Sequence, residues 1–180
     1  MRPSKDSVFM AAAVLWSQLG TCHRRKVGCV LVDRYGYVSA TGYNGVGRGQ
    51  IHCIDLPCAG HALPSGKGLD KCQAIHAEQN ALLQCSDITK LNTCYSTVAP
   101  CTHCVKMLLN TACSRIVILE EYPHHSEKVW TDDGRKWDRI TPQDVSTALA
   151  NSTNHVVNFQ NRGSSRSEET LYKDLNRLGH

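Results

Sequence analysis

The segment Ile75–Leu83, with the sequence IHAEQNALL, decides which fold the chain is expected to adopt. Apolar residues at positions 77, 81, 82 and 83 predict an amphipathic helix that packs against a core. Its first turn carries His76 and Glu78, although polar side chains are disfavoured at the buried start of a helix. These two residues therefore need a function that offsets the cost of burying them.

A second motif, APCTHC at residues 99–104, follows the next predicted strand. Cys101 and Cys104 stand at the junction of this strand with a helix, where the helix N-terminus lowers thiol pKa values and favours metal binding. Together with His76 they make three ligands, and a catalytic zinc ion keeps its fourth position for water. Glu78 is then suited to carry a proton from that water to a leaving group.

The combination H-x-E followed by P-C-x-x-C is typical of zinc-dependent deaminases of nucleobases. Such an enzyme replaces a ring amine by a carbonyl group and releases ammonia. In this reaction Glu78 is expected to protonate the ring nitrogen and then the departing amine, while the backbone around Ala77 and Ala99 frames the base. The alternative from the residues alone is a structural zinc knuckle in which Glu78 is only a charge at a helix start.

The remaining pattern alternates strands and helices after an initial hairpin, which predicts an α/β fold with helices on both faces of the sheet. A long loop at residues 46–70 needs a function or a staple to stay ordered. We expect a deaminase-type domain over residues 1–145 and a polar C-terminal extension over 146–180, with a short helix at 167–178, which is either a tail or an oligomer contact. The predicted strands are 27–33, 37–45, 93–99 and 115–121, and the other predicted helices are 5–19 and 102–112.

The composition limits the classes of protein that this sequence fits. With 180 residues, 20% charged and 41% hydrophobic, it is an ordinary globular chain of one domain and a tail. The net charge of +4 is scattered, which permits an anionic ligand but does not resemble a nucleic-acid-binding arm. Without an apolar stretch of membrane length or a secretory signal, a cytoplasmic location is expected (the host cytoplasm, if the sequence is viral). In that reducing compartment the ten cysteines suggest metal binding or core packing rather than disulfides.

Several stretches together resemble the deoxycytidylate (dCMP) deaminase family, from about residue 5 to about residue 140: ATGYNG, CQAIHAEQNALLQC, YSTVAPCTHCVKMLL and SRIVILEEY. The resemblance implies a three-layer α/β/α cytidine-deaminase-like fold with a central mixed five-stranded sheet. It implies zinc-dependent hydrolytic deamination of dCMP to dUMP, which feeds dTMP synthesis, with 5-substituted dCMP and dCTP as further candidate substrates. It also implies a homo-oligomer, with a hexamer favoured, activation by dCTP with Mg²⁺, and inhibition by dTTP.

The same resemblance assigns residues to the catalytic zinc and to the sugar. It implies His76, Cys101 and Cys104 as zinc ligands, Glu78 as the proton carrier, and Asn44 of the GYNG motif as a contact to the deoxyribose.

A phosphate requires cations, and the sequence HRRKVG at 23–28 supplies them before the first strand. Arg24 and Lys26 fall where the family tends to place a basic residue, and their alternation puts both on one side. Tyr122, after the last predicted strand, matches a family tyrosine that offers a hydroxyl to the phosphate. The alternatives are a solvated basic loop and a half-buried core tyrosine.

The long loop holds a second group of cysteines. In some members of the family a second, structural zinc pins this loop, and the matching residues here are Cys22, Cys53, Cys58 and Cys72, with His52 or His61 as substitutes for one thiol. The alternative is that these cysteines are small apolar residues of the core. Ala99, where relatives often carry a larger residue, suggests room for a substituent at ring position 5.

Two other functions remain open from the sequence. A nucleic-acid deaminase that acts on tRNA adenosine or single-stranded cytosine needs a surface for base stacking, and only 6% of the residues are aromatic. A non-catalytic zinc-stapled module needs no general acid or base. The response to Glu78→Gln separates the module from an enzyme, because only an enzyme loses turnover.

Overall fold

Five strands form one sheet in the computed structural model, which describes residues 2–64, 68, 71–122 and 125–164. The strands are β1 (Gly28–Asp33), β2 (Val38–Tyr43), β3 (Leu91–Val98), β4 (Arg115–Glu120) and β5 (Lys136–Arg139). The helices are α1 (Lys5–Ser17), α2 (Ala77–Gln84), α3 (Thr102–Leu109), α4 (Ser126–Thr131) and α5 (Pro142–Ser164).

The sheet is mixed, with the strand order β2-β1-β3-β4-β5. β1 pairs antiparallel with both β2 and β3, and the parallel part consists of β3, β4 and β5. Helix α3 connects β3 to β4, and α4 connects β4 to β5, as parallel neighbours require a crossover. The carboxyl ends of β3 and β4 therefore lie side by side at one edge, where crossover folds place their sites.

Helices cover both faces of the sheet, because alternate residues of each strand point to opposite sides. Val30 of β1 and Val117 of β4 pack with residues of α1 and α5 on one face. Leu31 and Ile116 of the same strands pack on the other face with residues of α2, α3 and α4. This arrangement confirms the three-layer α/β/α fold with a mixed five-stranded sheet.

Gly42 allows α2 to lie unusually close to β2. A Cβ atom at this position would come within 2.2 Å of the Ala77 carbonyl oxygen and 2.5 Å of the Ala81 backbone nitrogen. Because Gly42 has no side chain, the first turn of α2 packs directly against the backbone of β2. This contact determines where the residues at the start of α2 are held.

The main elements agree with the sequence prediction, apart from their ends and three omissions. Strand β5 was not predicted because it has only four residues and is mostly charged, as edge strands often are. Helix α4, with six residues, was too short to show a period, and α5 was not predicted because most of it falls in the segment interpreted as a polar extension. None of the helices in the described part of the chain combines the length and the apolar character needed to cross a bilayer.

The boundary placed after residue 145 falls inside α5. Val145 and Ala148 are buried beneath α1, so the first turns of α5 belong to the packed domain. Residues 151–158 of the same helix are exposed. The division into domain and extension remains a prediction, and the short helix predicted at 167–178 lies outside the described residues.

Candidate active site

Three metal-binding side chains meet where α2 and α3 begin. The Nδ1 atom of His76 lies 3.5 Å from the Sγ atoms of both Cys101 and Cys104, which are 3.6 Å apart. In the described part of the chain, this is the one group of three or more His, Cys, Asp or Glu residues whose ligand atoms all lie within 4.8 Å of one another. The structure therefore brings together the three ligands predicted for the catalytic zinc.

Local sequence explains why these ligands point to one place. His76 is the N-cap of α2 and Cys101 is the N-cap of α3, and both have extended backbone conformations. The His76 amide donates a 2.9 Å hydrogen bond to the side-chain oxygen of Gln79, which fixes the start of α2. Cys104 lies one turn into α3 and is fully buried. Two helix N-termini with their positive dipole ends therefore converge on the cluster.

The donor set fits a zinc ion with one open position. The pKa of Cys101 is lowered to about 3, chiefly by the hydrogen bond from Cys104 and also by His76, although burial opposes this shift. The pKa of Cys104 is raised, first by its hydrogen bond to Cys101 and then by burial. A metal ion that binds here would displace the thiol protons, because both sulfurs ligate as thiolates. Two thiolates and one imidazole match the three-ligand sets of catalytic zinc.

Glu78 is a buried carboxyl group next to these ligands. Its side chain is 3% exposed, its Oε1 accepts a 3.0 Å hydrogen bond from the Ser96 hydroxyl, and it lies within hydrogen-bonding reach of Cys104. Burial raises the pKa of Glu78, although its own backbone amide, His76 and Ser96 oppose this shift. A carboxyl group in such a position can both accept and return a proton.

A cleft opens beside the cluster and contains most of the residues predicted to bind the substrate. His76, Glu78 and Cys101 line it. Ala77 and Ala99, the two residues expected to frame a base, also line it, and both are buried.

Asn44 lines the cleft as well, but its side chain already forms hydrogen bonds to the backbone before β1. Its side-chain nitrogen donates to the carbonyl oxygen of Arg25 at 2.7 Å, and its oxygen accepts from the amide of Val27 at 2.8 Å. It thus holds the chain before β1, and its predicted contact to deoxyribose remains a prediction.

The structure distributes the three basic residues before β1 differently from the predicted alternation. Arg24 lines the cleft, and its Nη2 donates to the Pro64 carbonyl oxygen at 2.6 Å. Lys26 does not line the cleft, and its ammonium group donates to the Gln18 carbonyl oxygen at 3.2 Å. Arg25, which the alternation placed on the opposite side, lines the cleft together with Tyr122. The chain leaves the regular strand geometry at these positions, since β1 begins only at Gly28.

The four cysteines predicted to bind a structural zinc are brought near one another without forming a compact set of ligands. Cys53 and Cys58 have their sulfurs 3.5 Å apart, and Cys72 lies within hydrogen-bonding reach of Cys58. Cys22 is close enough to Cys72 to raise its pKa, although burial is the main cause of that rise. The imidazole of His61 contacts the Cys58 carbonyl oxygen at 2.9 Å, and no described bond links it to the sulfurs.

Sequence reasoning missed two residues of the site. Ser96 was interpreted only as part of a strand, although a serine in the middle of a buried strand needs a hydrogen-bond partner and was a signal. Arg25 was set aside by the assumed alternation. Both omissions concern contacts between segments that are distant in the sequence.

Comparisons with known proteins agree with this geometry. A family model described as "Cytidine and deoxycytidylate deaminase zinc-binding region" matches residues 3–120. The deoxycytidylate deaminase of Saccharomyces cerevisiae is 37% identical over 124 residues, which cover 68% of this chain and 39% of that protein. The deoxycytidylate deaminase of Mycobacterium phage D29 is 36% identical over 127 residues, which cover 67% of this chain and 98% of that protein.

A solved structure is similar over most of the chain. The dCMP deaminase of the cyanophage S-TIM5, in complex with dCMP and dUMP, has a TM-score of 0.63 and 28% identity, and the match covers 78% of this chain and 99% of that one. The chain spans only about two fifths of the length of the Saccharomyces cerevisiae and Schizosaccharomyces pombe relatives. The family model nevertheless covers more than half of the chain, including all three ligands and Glu78. The chain therefore belongs to the cytidine and deoxycytidylate deaminase family.

Proposed function

We propose that the protein catalyses the zinc-dependent hydrolytic deamination of dCMP to dUMP, with release of ammonia. The observation that carries this proposal is the buried Glu78 carboxyl group beside the His76, Cys101 and Cys104 cluster, in the lining of an open cleft. Burying a carboxyl group costs free energy, and a purely structural zinc site has no use for such a group. The burial of Glu78 therefore favours a catalytic site.

The residues of the chain divide the reaction among them. His76, Cys101 and Cys104 would hold zinc, which when bound makes water nucleophilic at neutral pH. Glu78 takes a proton from the attacking water and delivers it to ring nitrogen N3, and it then carries a proton to the departing amine. Water enters at C4 and ammonia leaves from C4, so dCMP and water yield dUMP and ammonia. The buried Ala77 and Ala99 border the ring and help to exclude other water.

The choice of dCMP is supported by the relatives and by the charge of the cleft. The phage D29 relative, which the match covers over nearly its whole length, is named a deoxycytidylate deaminase. The similar S-TIM5 structure contains dCMP and dUMP. Arg24 and Arg25 bring two cationic side chains to the same cleft as the cluster. A deoxynucleoside monophosphate presents one pyrimidine ring and one anionic group, and the lining of this cleft includes both the catalytic cluster and two arginines.

Several finer expectations from the resemblance belong to the same proposal. They are a second, structural zinc at Cys22, Cys53, Cys58 and Cys72, a homo-oligomer, with a hexamer favoured, regulation by dCTP with Mg²⁺ and by dTTP, and a cytoplasmic location that feeds dTMP synthesis. The proximity of Cys53 to Cys58 and of Cys72 to Cys58 supports the second zinc.

Ammonia release tests the proposal directly. The zinc-loaded protein is assayed with dCMP, deoxycytidine, dCTP and 5-methyl-dCMP, and dCMP is expected to be the best substrate. Glu78→Gln should fold and bind zinc normally, yet lose at least the factor of about 10²–10⁴ that general acid–base catalysis contributes. Glu121→Gln, which changes an exposed carboxylate of similar chemistry, is the matched control. Turnover by Glu78→Gln within a few-fold of wild type would refute the mechanism.

A further inference from the structure

One arginine after α4 binds the C-terminal end of α3. Arg135 directly precedes β5, and its guanidinium group donates to the backbone carbonyl oxygens of Cys113 at 2.6 Å, Leu109 at 2.9 Å, Thr111 at 3.3 Å and Leu108 at 3.4 Å. Leu108 and Leu109 are the last two residues of α3, and the other two acceptors lie in the connection to β4. The last carbonyl groups of a helix have no partner within it, and Arg135 supplies a cationic donor to them.

The guanidinium group of Arg135 is itself held in place by the segment around it. Its Nε forms an ion pair with Asp133 at 2.7 Å, and its central carbon lies 5.0 Å from the centre of the Trp130 ring. Trp130 is completely buried, and its indole nitrogen donates to the Lys136 carbonyl oxygen at 2.8 Å. Because its planar fork is fixed in this way, Arg135 can hold α3 at a defined position.

The opposite end of α3 carries two of the three predicted zinc ligands. Cys101 is the N-cap of this helix, and Cys104 lies in its first turn. With eight residues α3 is about 12 Å long, so a tilt of about 5° around its C-terminal end would move its N-terminal end by about 1 Å. Metal–ligand distances tolerate changes of only about 0.2 Å. The position of the C-terminal end therefore affects the geometry of the cluster.

Apolar packing alone determines this position less sharply. Val105 and Leu108 are completely buried and fix the face of α3 that points to the core. Apolar contacts are not directional, whereas hydrogen bonds to carbonyl groups also fix a helix along its axis. A helix of two turns has little stability of its own, so its ends depend on such tertiary contacts. Lys106, a basic residue in the last turn of α3, is exposed, which leaves this task to Arg135.

We infer that Arg135 is a positioning residue for the metal centre: by binding the C-terminal carbonyl groups of α3, it fixes the place at which Cys101 and Cys104 present their sulfurs. Arg135 acts through α3, since it belongs neither to the ligand cluster nor to the lining of the cleft. The inference rests on the proposed binding of zinc by this cluster. It extends that proposal to a residue that neither the H-x-E nor the P-C-x-x-C motif includes.

Zinc affinity tests the inference without any turnover. In competition with a chelator of known affinity, Arg135→Met should raise the dissociation constant of one zinc ion per chain by a factor of about 10 or more, as for other residues that orient metal ligands. Arg135→Lys should weaken zinc binding nearly as much, because an ammonium group keeps the charge but cannot bridge the carbonyl groups of the helix and the connection after it.

Arg115→Met is the matched control. The Arg115 side chain is 27% exposed, against 22% for Arg135, and its ion pairs with Asp6 and Asp138 involve α1 and β5 rather than α3. This variant should lower the melting temperature to a similar extent and leave the zinc affinity unchanged.

The visible absorption of cobalt-loaded protein separates positioning from a general loss of stability. The bands of Co²⁺ bound by two thiolates and an imidazole depend on the geometry of these ligands. In folded, metal-saturated protein, Arg135→Met and Arg135→Lys should shift or weaken the bands, whereas Arg115→Met should keep the wild-type spectrum. Cobalt bound at a second site contributes equally to every variant and cancels in the difference spectra.

Each outcome either supports the inference or overturns it. Unchanged zinc affinity and cobalt bands in Arg135→Met, at reduced stability, would show that the residue has only a structural role. A loss in Arg135→Met that Arg135→Lys does not share would assign the effect to charge and overturn the role of the hydrogen bonds. An equal loss in Arg115→Met would attribute it to stability. If Arg135→Met does not fold, Arg135→Lys supplies both measurements. Wild-type protein that binds zinc but does not deaminate dCMP would refute the proposed function and leave this inference standing.

Discussion

The hydroxyl group of Ser96 donates a hydrogen bond of 3.0 Å to Oε1 of Glu78, and both side chains are almost completely buried. Ser96 lies in β3, between Cys29 of β1 and Ile118 of β4, so its position is determined by the centre of the sheet. The position of Glu78 is thus fixed by the backbone of α2 and by the hydrogen bond from Ser96 in the sheet. One carboxylate oxygen is fixed by this bond, and the residue lines the cleft.

Replacing Ser96 should impair the chemical step more than substrate binding. We expect Ser96→Ala to lower kcat for dCMP by a factor of about 10 or more, because a hydrogen bond to a charged group is lost. KM should change little, since Ser96 does not line the cleft. Ser96→Thr, which retains the hydroxyl group, should recover part of kcat. Thr93→Val removes a hydroxyl from the same strand and should leave kcat unchanged; a similar fall in both variants would contradict the prediction.

The number of zinc ions per chain tests whether the predicted structural zinc site exists. We predict two zinc ions per chain in the purified protein, measured by elemental analysis, and one in Cys53→Ser, because a closed structural site needs all four of its ligands. Cys85→Ser, which changes a cysteine outside both groups, should retain two. A wild-type value of one that Cys53→Ser does not alter would show that the loop cysteines are only packed against one another.

Gly42→Ala should displace the first turn of α2, which carries Glu78, because Gly42 of β2 contacts this turn. The added Cβ atom would lie 2.2 Å from the Ala77 carbonyl oxygen, so α2 has to move away from β2. We expect a loss of about 1–3 kcal/mol in the free energy of unfolding, as for other overpacked sites, and weaker zinc binding. At Gly47 the nearest atom to a new Cβ is a flexible side-chain oxygen at 3.4 Å, so Gly47→Ala should have little effect in the same urea titrations.

The ion pair between Asp6 of α1 and Arg115 of β4 should make stability depend on pH. Arg115 donates to both carboxylate oxygens of Asp6, at 3.0 and 2.9 Å, and this contact is the main cause that lowers the pKa of Asp6. A lowered pKa in the folded state means that the contribution to stability is present above the ordinary value of 3.8 and is lost as the pH falls through the folded pKa.

Asp6→Asn should therefore destabilise the protein by about 1 kcal/mol at pH 7, a value reduced for the partial exposure of the pair, and by less near pH 2. Urea unfolding at both pH values measures this difference. The control is Asp132→Asn, which removes the exposed partner of Lys128 and should cost less at pH 7. An equal cost of Asp6→Asn at the two pH values would show that its effect is not electrostatic.

Local patterns in the sequence were sufficient for the catalytic cluster. His76 and Glu78 are two residues apart at the start of α2, and Cys101 and Cys104 are three residues apart at the start of α3, so each pair is local in the sequence. The motif of H-x-E followed by P-C-x-x-C then linked the two pairs. Strands and helices with strong periodicity were also predicted close to their observed bounds. The resemblance to a family then supplied the number of strands and the layer order.

Tertiary structure alone decided which residues complete the site. Arg25 was separated from Lys26 because the chain before β1 is irregular and is held by Asn44, a contact across the hairpin that no local pattern encodes. Ser96 acquired its partner because β3 passes beneath the start of α2, and Glu120 acquired Arg25 because β4 ends beside the cleft. Spacing determines what lies on one turn of a helix, whereas contacts between distant segments depend on how the whole sheet and its helices pack.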